Sequence, residues 1–199
     1  MWLLAVLARL QPAAESQAED ESSLRRLASG DQTAAAGLYD RHARPLYSLI
    51  LRILGNETEA EDVLQDVFAQ AFRQASRYDA RRGAVAAWLL TIARSRALDH
   101  LRRAEPAEAH PDPAVLDPAG ALARGDDPQD LLLAVQGQAA LMRALEQLSA
   151  LQRQLIALAF FRGLTHQEIA EHARLPLGSV KTYIRRALAQ LRAQLGTLH

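Results

Sequence analysis

Carboxylates form the densest set of side chains that could bind a metal ion or transfer protons. Five of them lie between residues 56 and 66, with no basic residue among them: Glu57, Glu59, Glu61, Asp62 and Asp66. A catalytic metal site would need further ligands at matching spacing, and histidine is a common one. His166 and His172 are six residues apart and lie on different helical faces. We therefore predict no metal site, no cofactor and no catalytic residue. The alternative is an all-α enzyme that uses these carboxylates with a divalent metal ion. We expect His42, His100, His166 and His172 to face solvent or cap helices.

Other chemistries are excluded by composition. The 199 residues include no cysteine, so disulfides, thiolate zinc sites and cysteine nucleophiles are ruled out. Lys181 is the only lysine, which excludes a Walker-type phosphate loop or a Schiff-base lysine elsewhere.

Residues 164–195 have the pattern of two helices joined by a tight turn. Thr165 and Glu168 form a capping box at the start of the first helix, and Ser149 with Gln152 would cap the helix before it. Pro176 is tolerated in the first turn of a new helix and therefore marks the second. A short helix, a sharp turn and a basic second helix are typical of a helix-turn-helix, whose second helix enters the major groove of DNA.

The second helix carries polar and basic side chains opposite an apolar stripe. The stripe consists of Leu177, Val180, Ile184, Leu188, Leu191 and Leu195. The residues that we predict to contact DNA are Ser179, Lys181, Thr182, Tyr183, Arg185 and Arg186. An ordinary amphipathic helix with a solvated basic face is the alternative.

The spacing of apolar residues predicts an all-α protein of two small helical domains. We place an N-terminal extension, partly disordered, at 1–30, the first domain at 31–103, an acidic, proline-rich linker at 104–137 and the second domain at 138–199. Formal charge is +6 over residues 73–103, −6 over 105–130 and +5 from 138 onward. Two basic blocks separated by an acidic one indicate two modules that face nucleic acid.

An apolar run at the N-terminus is interrupted at Arg9 and is too short to cross a bilayer, and it lacks a basic n-region and a cleavage site. We therefore expect a cytoplasmic protein with no direct membrane insertion. Residues 11–23 are polar and acidic, and we expect them to be poorly ordered, whereas residues 24–28 are expected to form a short helix that ends at Gly30.

The first domain is predicted to contain several helices. Asp31 would cap one helix, Pro45 would open the next, and Thr58 with Glu61 would form a capping box for a third. The polar face of this third helix carries Glu61, Asp62, Gln65 and Asp66. Like charges at i and i+4 repel each other, so a basic partner would explain this face. Stabilisation of the helix dipole by acids in its first turn is the other explanation.

An arginine-rich loop and helix follow. Residues 77–83 break the periodicity and read as an exposed basic loop, and the helix after it carries Arg94, Ser95, Arg96 and Arg103. Aromatic residues between arginines suit a platform for single-stranded nucleic acid. Trp88 lies on the apolar stripe, so its periodicity favours a core position over such a platform.

Together, six motifs resemble the extracytoplasmic-function class of bacterial sigma factors. They are L-Y-D-R-H-A (38–43), A-E-D-V-L-Q-D-V-F (60–68), R-G-x-x-x-A-W-L-x-T-I-A-R (82–94), A-L-D-H-L-R-R (97–103), G-L-T-x-x-E-I-A (163–170) and P-L-G-S-V-K-T (176–182). Their order and spacing are those of the family.

The resemblance implies a role for each block. Residues 31–103 would dock on the clamp helices of RNA polymerase and melt the −10 element, and residues 138–199 would read the −35 element and rest on the polymerase flap. It assigns polymerase binding to Glu61, Asp62, Gln65 and Asp66. It assigns −10 binding and melting to Tyr78, Arg81, Arg82, Trp88, Arg94, Ser95, Arg96 and Arg103. Base extrusion costs a few kcal/mol, which binding contacts can offset, so no catalysis is implied.

The resemblance also implies a cognate anti-sigma factor, often membrane-embedded. Two positions depart from the family, which often has Asn at Ser95 and Arg at Tyr183; these departures affect the captured base and the −35 preference. A conventional regulator with a C-terminal helix-turn-helix is an alternative, but it leaves the acidic helix and the arginine-rich loop without a role.

Overall fold

The structure, a computed structural model, describes residues 14–104 and 143–196. Within these two ranges the regular secondary structure is helical and no strand occurs, so the all-α prediction is confirmed. The chain divides into two compact units, Met1–Ala107 and Glu108–His199. Residues 1–13, which include the apolar N-terminal run, and nearly all of the predicted linker lie outside the described residues. No helix in the described ranges is long and apolar enough to cross a membrane.

Over residues 14–104 the first unit contains four α-helices, with short 3₁₀ turns at Gln32–Ala34, Ala75–Arg77 and Ala80–Arg82. The α-helices are α1 (Ala14–Ala28), α2 (Ala35–Leu54), α3 (Glu57–Arg73) and α4 (Val85–Ala104). Helices α2, α3 and α4 pack against one another in all three pairs, and α1 lies against this bundle. Leu46, Val67 and Leu89 are each at most 1 % exposed and represent the three helices in the shared core.

Helix α1 corrects the prediction of a poorly ordered lead-in for the residues that the structure describes. Leu24 and Leu27 are buried, and so is Asp20, which contacts His42 of α2. The acidic composition of this segment concealed one apolar face and one buried carboxylate. His42 is itself only 4 % exposed, so the prediction that it faces solvent or caps a helix is wrong.

Helix α2 is continuous through Pro45, and the predicted break at this residue is wrong. Proline removes one backbone donor and crowds the preceding turn, which costs stability inside a helix. Here Leu38 and His42 before the proline share a buried face with Leu46 and Ile50 after it. Burial of this long face offsets the local cost and keeps the helix intact.

The N-cap of helix α3 lies two residues before the N-cap that the sequence predicted. Asn56 is the N-cap, because its side-chain oxygen accepts a hydrogen bond from the backbone N–H of Glu59. Thr58 and Glu61 already lie inside the helix, so they do not form the predicted capping box. Asparagine is as good an N-cap as threonine, and it occupies the position next to Gly55, which ends α2 with a φ of +72°.

The second unit contains α5 (Ala150–Phe161), α6 (His166–Ala173) and α7 (Leu177–Gly196), and residues 143–146 are also helical. Both predicted capping boxes in this unit are confirmed, Ser149 with Gln152 and Thr165 with Glu168. The core of this unit is one cluster of buried side chains that all three helices contribute: Leu155, Leu158, Ile169, Ala170, Val180 and Ile184. Leu177 is 38 % exposed, so it does not belong to the buried stripe of α7 as predicted.

Candidate functional site

A tight turn joins α6 to α7 and completes a helix-turn-helix. Arg174 ends α6 in the left-handed region, with a φ of +52°, and its N–H donates to the carbonyls of Ala170 and Glu171. The N–H of Leu175 donates to the same Ala170 carbonyl at 3.0 Å. The Pro176 carbonyl then accepts from Ser179 and Val180 and starts α7. Backbone hydrogen bonds of Arg174, Leu175 and Pro176 to the two flanking helices therefore fix the turn.

The predicted DNA-contacting residues of α7 differ in how accessible they are. Lys181, Arg185 and Arg186 are exposed, while Ser179 and Thr182 are half-buried. The Thr182 hydroxyl donates to the Gly178 carbonyl at 2.8 Å, so its methyl group and remaining lone pairs are what a ligand would meet. Three cations thus project from the part of the second helix that enters a major groove in this motif.

Tyr183 is placed differently from the other five residues. Its ring packs against the core cluster of the second unit and is half-buried. Only part of this side chain is available to a ligand, because the ring also covers the core.

In the first unit, a short basic loop, residues 78–84, follows the 3₁₀ turn Ala75–Arg77 and leads into α4. It begins at Tyr78 and contains a 3₁₀ turn, Ala80–Arg82, which Asp79 caps by accepting from the Arg81 N–H at 3.0 Å. The Arg81 side chain also bonds this carboxylate, and these contacts hold the pKa of Asp79 below its usual value. Arg81 is 90 % exposed and Arg82 is exposed, so both cations face solvent at the tip of the loop.

The two ends of the loop are joined by a side chain. The Tyr78 hydroxyl donates to the Gly83 carbonyl at 3.0 Å. Gly83 has a φ of +139°, which residues with a Cβ rarely adopt, so glycine is needed at this position. Burial, together with the nearby charges of Glu21 and Asp20, raises the pKa of Tyr78 and keeps its hydroxyl protonated as a donor.

Trp88 lies behind this loop. Its ring centroid is 5.7 Å from that of Tyr78, at an interplanar angle of 57°, and the indole is half-buried. Tilted ring pairs at this distance are favourable. Trp88 therefore supports the base of the loop and keeps part of its surface accessible, which is intermediate between the two positions considered from the sequence.

The arginines of α4 are not equivalent. Arg103 and Ser95 are exposed, while Arg94 is half-buried. Burial, with a smaller contribution from the like charge of Arg102, lowers the pKa of Arg94. Because arginine is a very strong base, it remains charged at neutral pH.

Arg96 joins α4 to the acidic face of α3. Its Nε donates to Oε1 of Gln70 at 2.5 Å, and its Nη1 lies 3.9 Å from Oδ2 of Asp66. One residue assigned to DNA by resemblance therefore contacts one assigned to polymerase. In the free protein the guanidinium of Arg96 is already engaged.

The acidic face of α3 is open to solvent. Glu61, Asp62, Gln65 and Asp66 are all exposed, and they lie opposite the buried Val63, Leu64 and Val67. Among the residues that the structure describes, no group of three or more His, Asp or Glu side chains could hold a metal ion.

Two residues of α1 went unrecognised in the sequence, because the segment was read as irregular. Asp20 is buried against α2, and Gln17 bonds to both Tyr78 and Val85 beside the basic loop. The only available signal was the pair Leu24 and Leu27, whose spacing of three residues fits a helix.

Comparison with known proteins identifies the family. Residues 38–106 match the family Sigma-70 region 2, and residues 138–191 match Sigma-70, region 4. The extracytoplasmic-function RNA polymerase sigma factor SigK of Mycobacterium bovis, strain BCG, is 34 % identical over 175 residues, which cover 86 % of this chain and 91 % of the relative. SigK of Mycobacterium sp. strain KMS is 33 % identical over 176 residues, covering 87 % and 89 %.

A solved relative is Rhodobacter sphaeroides SigE in complex with the anti-sigma ChrR. It is 34 % identical, the match covers 89 % of this chain and 98 % of that one, and the TM-score is 0.44. The two family matches and the SigK identity together show that this chain belongs to the extracytoplasmic-function sigma factors of RNA polymerase.

Proposed function

We propose that this sigma factor, which directs promoter-specific transcription initiation with RNA polymerase, uses a different surface for each of three contacts. The surfaces are the basic face of α7, the basic loop with the adjoining face of α4, and the acidic face of α3. The acidic face carries the proposal, because a regulator that binds DNA unaided has no use for a solvent-exposed row of acids beside its basic surfaces.

The second unit, with region 4 over residues 138–199, would read the −35 element. No acidic residue lies between Pro176 and Leu195, while Lys181, Arg185 and Arg186 are exposed. Cations positioned along a groove neutralise phosphates, and a lysine or arginine can also donate to guanine in the major groove. Ser179 and Thr182 are short enough to let the helix approach the bases closely. Tyr183 would contribute only its outer edge.

The first unit, with region 2 over residues 31–103, would melt the −10 element. Arg81 and Arg82 at the loop tip, together with Arg103 on α4, supply charge for a single strand. Tyr78 and Trp88 form an aromatic base beneath them, on which an extruded nucleotide could stack. Arg94 and Ser95 lie on α4 and would contact the single strand. Arg96 would join them once its contacts with Gln70 and Asp66 of α3 were exchanged for DNA.

The acidic face of α3 would bind the clamp helices of core polymerase. Four hydrogen-bonding side chains on two adjacent turns offer a row of acceptors to basic residues of a partner: Glu61, Asp62, Gln65 and Asp66. Charge-assisted hydrogen bonds are among the stronger polar contacts, and opposite charges also speed association.

Further parts of the proposal rest on family membership. Initiation requires contact with core polymerase, so we place the protein in the cytoplasm. It would act through binding energy alone, as a non-catalytic regulator without cofactor. A cognate anti-sigma factor would inhibit it by covering one of its polymerase-binding surfaces, and the linker at 104–137 would tether the two units.

Run-off transcription from a randomised promoter library tests this function. Core polymerase is assayed with and without the protein, and transcripts are sequenced. The proposal predicts protein-dependent transcripts whose promoters share a −35 and a −10 motif. Specific binding to duplex DNA without core polymerase, combined with no initiation in its presence, would instead identify an ordinary helix-turn-helix regulator.

A further inference from the structure

The side-chain amide of Gln17 connects α1 to Tyr78, which begins the basic loop, and to Val85, which begins α4 directly after it. Its Nε2 donates to the Tyr78 hydroxyl at 3.1 Å, and its Oε1 accepts from the Val85 N–H at 3.2 Å. The same Nε2 donates to Oε1 of Glu21, one turn later on α1, at 2.6 Å. Both polar ends of the amide are therefore used, and Gln17 is fixed in orientation by its own helix.

These bonds place Gln17 at the closure of the basic loop. Tyr78 begins the loop, and its hydroxyl, which accepts from Gln17, donates onward to the Gly83 carbonyl at 3.0 Å. Val85 begins α4 directly after the loop, and its N–H is one of the helix-terminal donors that need a partner outside the helix. The Gln17 side chain thus accepts from one terminal N–H of α4 and also fixes the Tyr78 hydroxyl that closes the loop.

The loop itself has few other restraints. Its tip, Ala80–Arg82, is exposed at every residue. The hydrogen bonds at the tip stay within the loop: Arg81 donates to the Asp79 carboxylate, the Arg82 N–H to the Asp79 carbonyl and the Gly83 N–H to the Ala80 carbonyl. Asp79 sets the shape of the tip but does not connect the tip to the bundle. The connection is made at the base, through Tyr78 with Trp88 behind it, and through Gln17.

We propose that Gln17 is a positioning residue for −10 recognition, holding the basic loop in the conformation that captures single-stranded promoter DNA. This inference rests on the function proposed above for the loop. Gln17 reaches no DNA itself; it acts through Tyr78 and Val85. Helix α1 is therefore part of the melting apparatus, although the match to Sigma-70 region 2 begins at residue 38.

Two substitutions isolate this role. Gln17→Met keeps a side chain of similar length and volume while removing both polar ends, and Tyr78→Phe removes the hydroxyl while keeping the ring against Trp88. Loss of one hydrogen bond costs about 1 kcal/mol and a tenfold effect corresponds to about 1.4 kcal/mol, so we expect each variant to weaken loop function about five- to tenfold. Gln32→Met is the matched control, because Gln32 is exposed in the 3₁₀ turn before α2.

The measurements use holoenzyme reconstituted from core polymerase and the full chain. They are the affinity for a single-stranded −10 oligonucleotide, its discrimination among the four bases at the captured position, the rate of promoter opening, the affinity for core polymerase and the thermal midpoint of the free protein. We expect Q17M to lower oligonucleotide affinity and opening rate five- to tenfold and to flatten base discrimination. Affinity for core polymerase should stay within twofold, and Q32M should match the wild type.

A double-mutant cycle tests whether Gln17 acts through Tyr78. If it does, Q17M/Y78F is no worse than the more severe single variant, because both remove the same linkage. Independent, multiplying effects would contradict this route. Equal losses in oligonucleotide and core affinity, or a lower thermal midpoint without loss of opening, would show a purely structural residue and overturn the inference.

The loop arginines distinguish failure of this inference from failure of the proposed function. If the double substitution Arg81→Ala and Arg82→Ala impairs opening while Q17M does not, only the role of Gln17 is rejected. If neither impairs opening, the role of the loop itself is rejected.

Discussion

Asp20 of α1 and His42 of α2 meet in the interior of the first unit, with Oδ2 of the carboxylate 2.6 Å from Nε2 of the imidazole. Their side chains are 4 % and 6 % exposed. The second carboxylate oxygen accepts from Nε of Arg41 at 2.7 Å. Asp20 therefore ties α1 to two consecutive residues of α2, and α1 is an integral part of the unit.

Removing this carboxylate should destabilise the protein. Asp20→Ala leaves His42 without its partner and removes the closest acceptor of Arg41, which keeps longer contacts with Ser23 and Glu19. Loss of one partner of a buried pair typically costs about 3–5 kcal/mol. Chemical denaturation followed by circular dichroism measures the change. Glu19→Gln is the control, because Glu19 is 67 % exposed and lies 3.7 Å from Arg41, so we expect a change below about 0.5 kcal/mol. Similar stabilities for D20A and E19Q would contradict the buried link.

Asp31 should give stability a distinct acid dependence. A hydrogen bond from the Thr33 side chain, followed by one from Arg26, lowers its pKa to about 2. A depressed carboxyl pKa contributes stability that is fully present above the unfolded value of about 3.9 and is lost as pH falls through 2. The denaturation midpoints of wild type and Asp31→Asn should therefore differ by a constant amount above pH 5 and converge between pH 4 and 2. A pKa near 3.9, measured by carboxyl NMR titration, would contradict this.

Arg174 should tolerate glycine better than it tolerates a branched residue. Its φ of +52° lies in the left-handed region, where an L-residue is strained by about 1–2 kcal/mol and glycine is not. Arg174→Gly should leave stability unchanged or raise it by up to about 1 kcal/mol, whereas Arg174→Val should lower it by more than 1 kcal/mol. Thermal denaturation of the two variants provides the comparison. If valine is tolerated as well as glycine, the turn does not hold this conformation in solution.

Neutralising the acidic face of α3 should weaken polymerase binding without unfolding the unit. Asp62→Asn and Asp66→Asn each remove an exposed charge. Because a charge-assisted hydrogen bond contributes roughly 1.5 kcal/mol, we expect each substitution to reduce the affinity for core polymerase about tenfold. Stability should change by less than about 0.5 kcal/mol, since the two carboxylates repel each other at i and i+4. Fluorescence anisotropy with labelled protein gives the affinity.

Asp40→Asn serves as the matched control, because Asp40 is an exposed acid on α2 of the same unit. Equal affinity losses for D40N and D62N would mean that net charge matters and the α3 face does not. No loss for D62N and D66N would reject the face as the polymerase contact.

Sequence patterns predicted the helix faces and the helix starts of the second unit, because both depend on residues close together along the chain. The apolar spacing in α3 and the capping boxes at Ser149 and Thr165 are of this kind. At the start of α3 the same reasoning selected Thr58, because two adequate caps lie two residues apart and helix packing decides between them.

The errors in the first unit have a common physical cause. Asp20 and His42 are 22 residues apart, and Gln17 and Tyr78 are 61 apart, so no local spacing reports either pair. A buried carboxylate looks like a solvated one in a sequence until its partner is known. Pro45 was misjudged for the same reason, since burial on both sides of it outweighs a local rule.

We expect this chain to open promoters only as part of RNA polymerase. Fluorescence of 2-aminopurine, placed at −10 positions of a promoter selected from the run-off library, reports strand separation directly. Base unstacking should raise the signal when the protein and core polymerase are both present, and neither should suffice alone. The double variant R81A/R82A should lower the rate with intact core binding. Strand separation by core polymerase alone, or tight duplex binding by the protein with no opening in the reconstituted enzyme, would contradict the account.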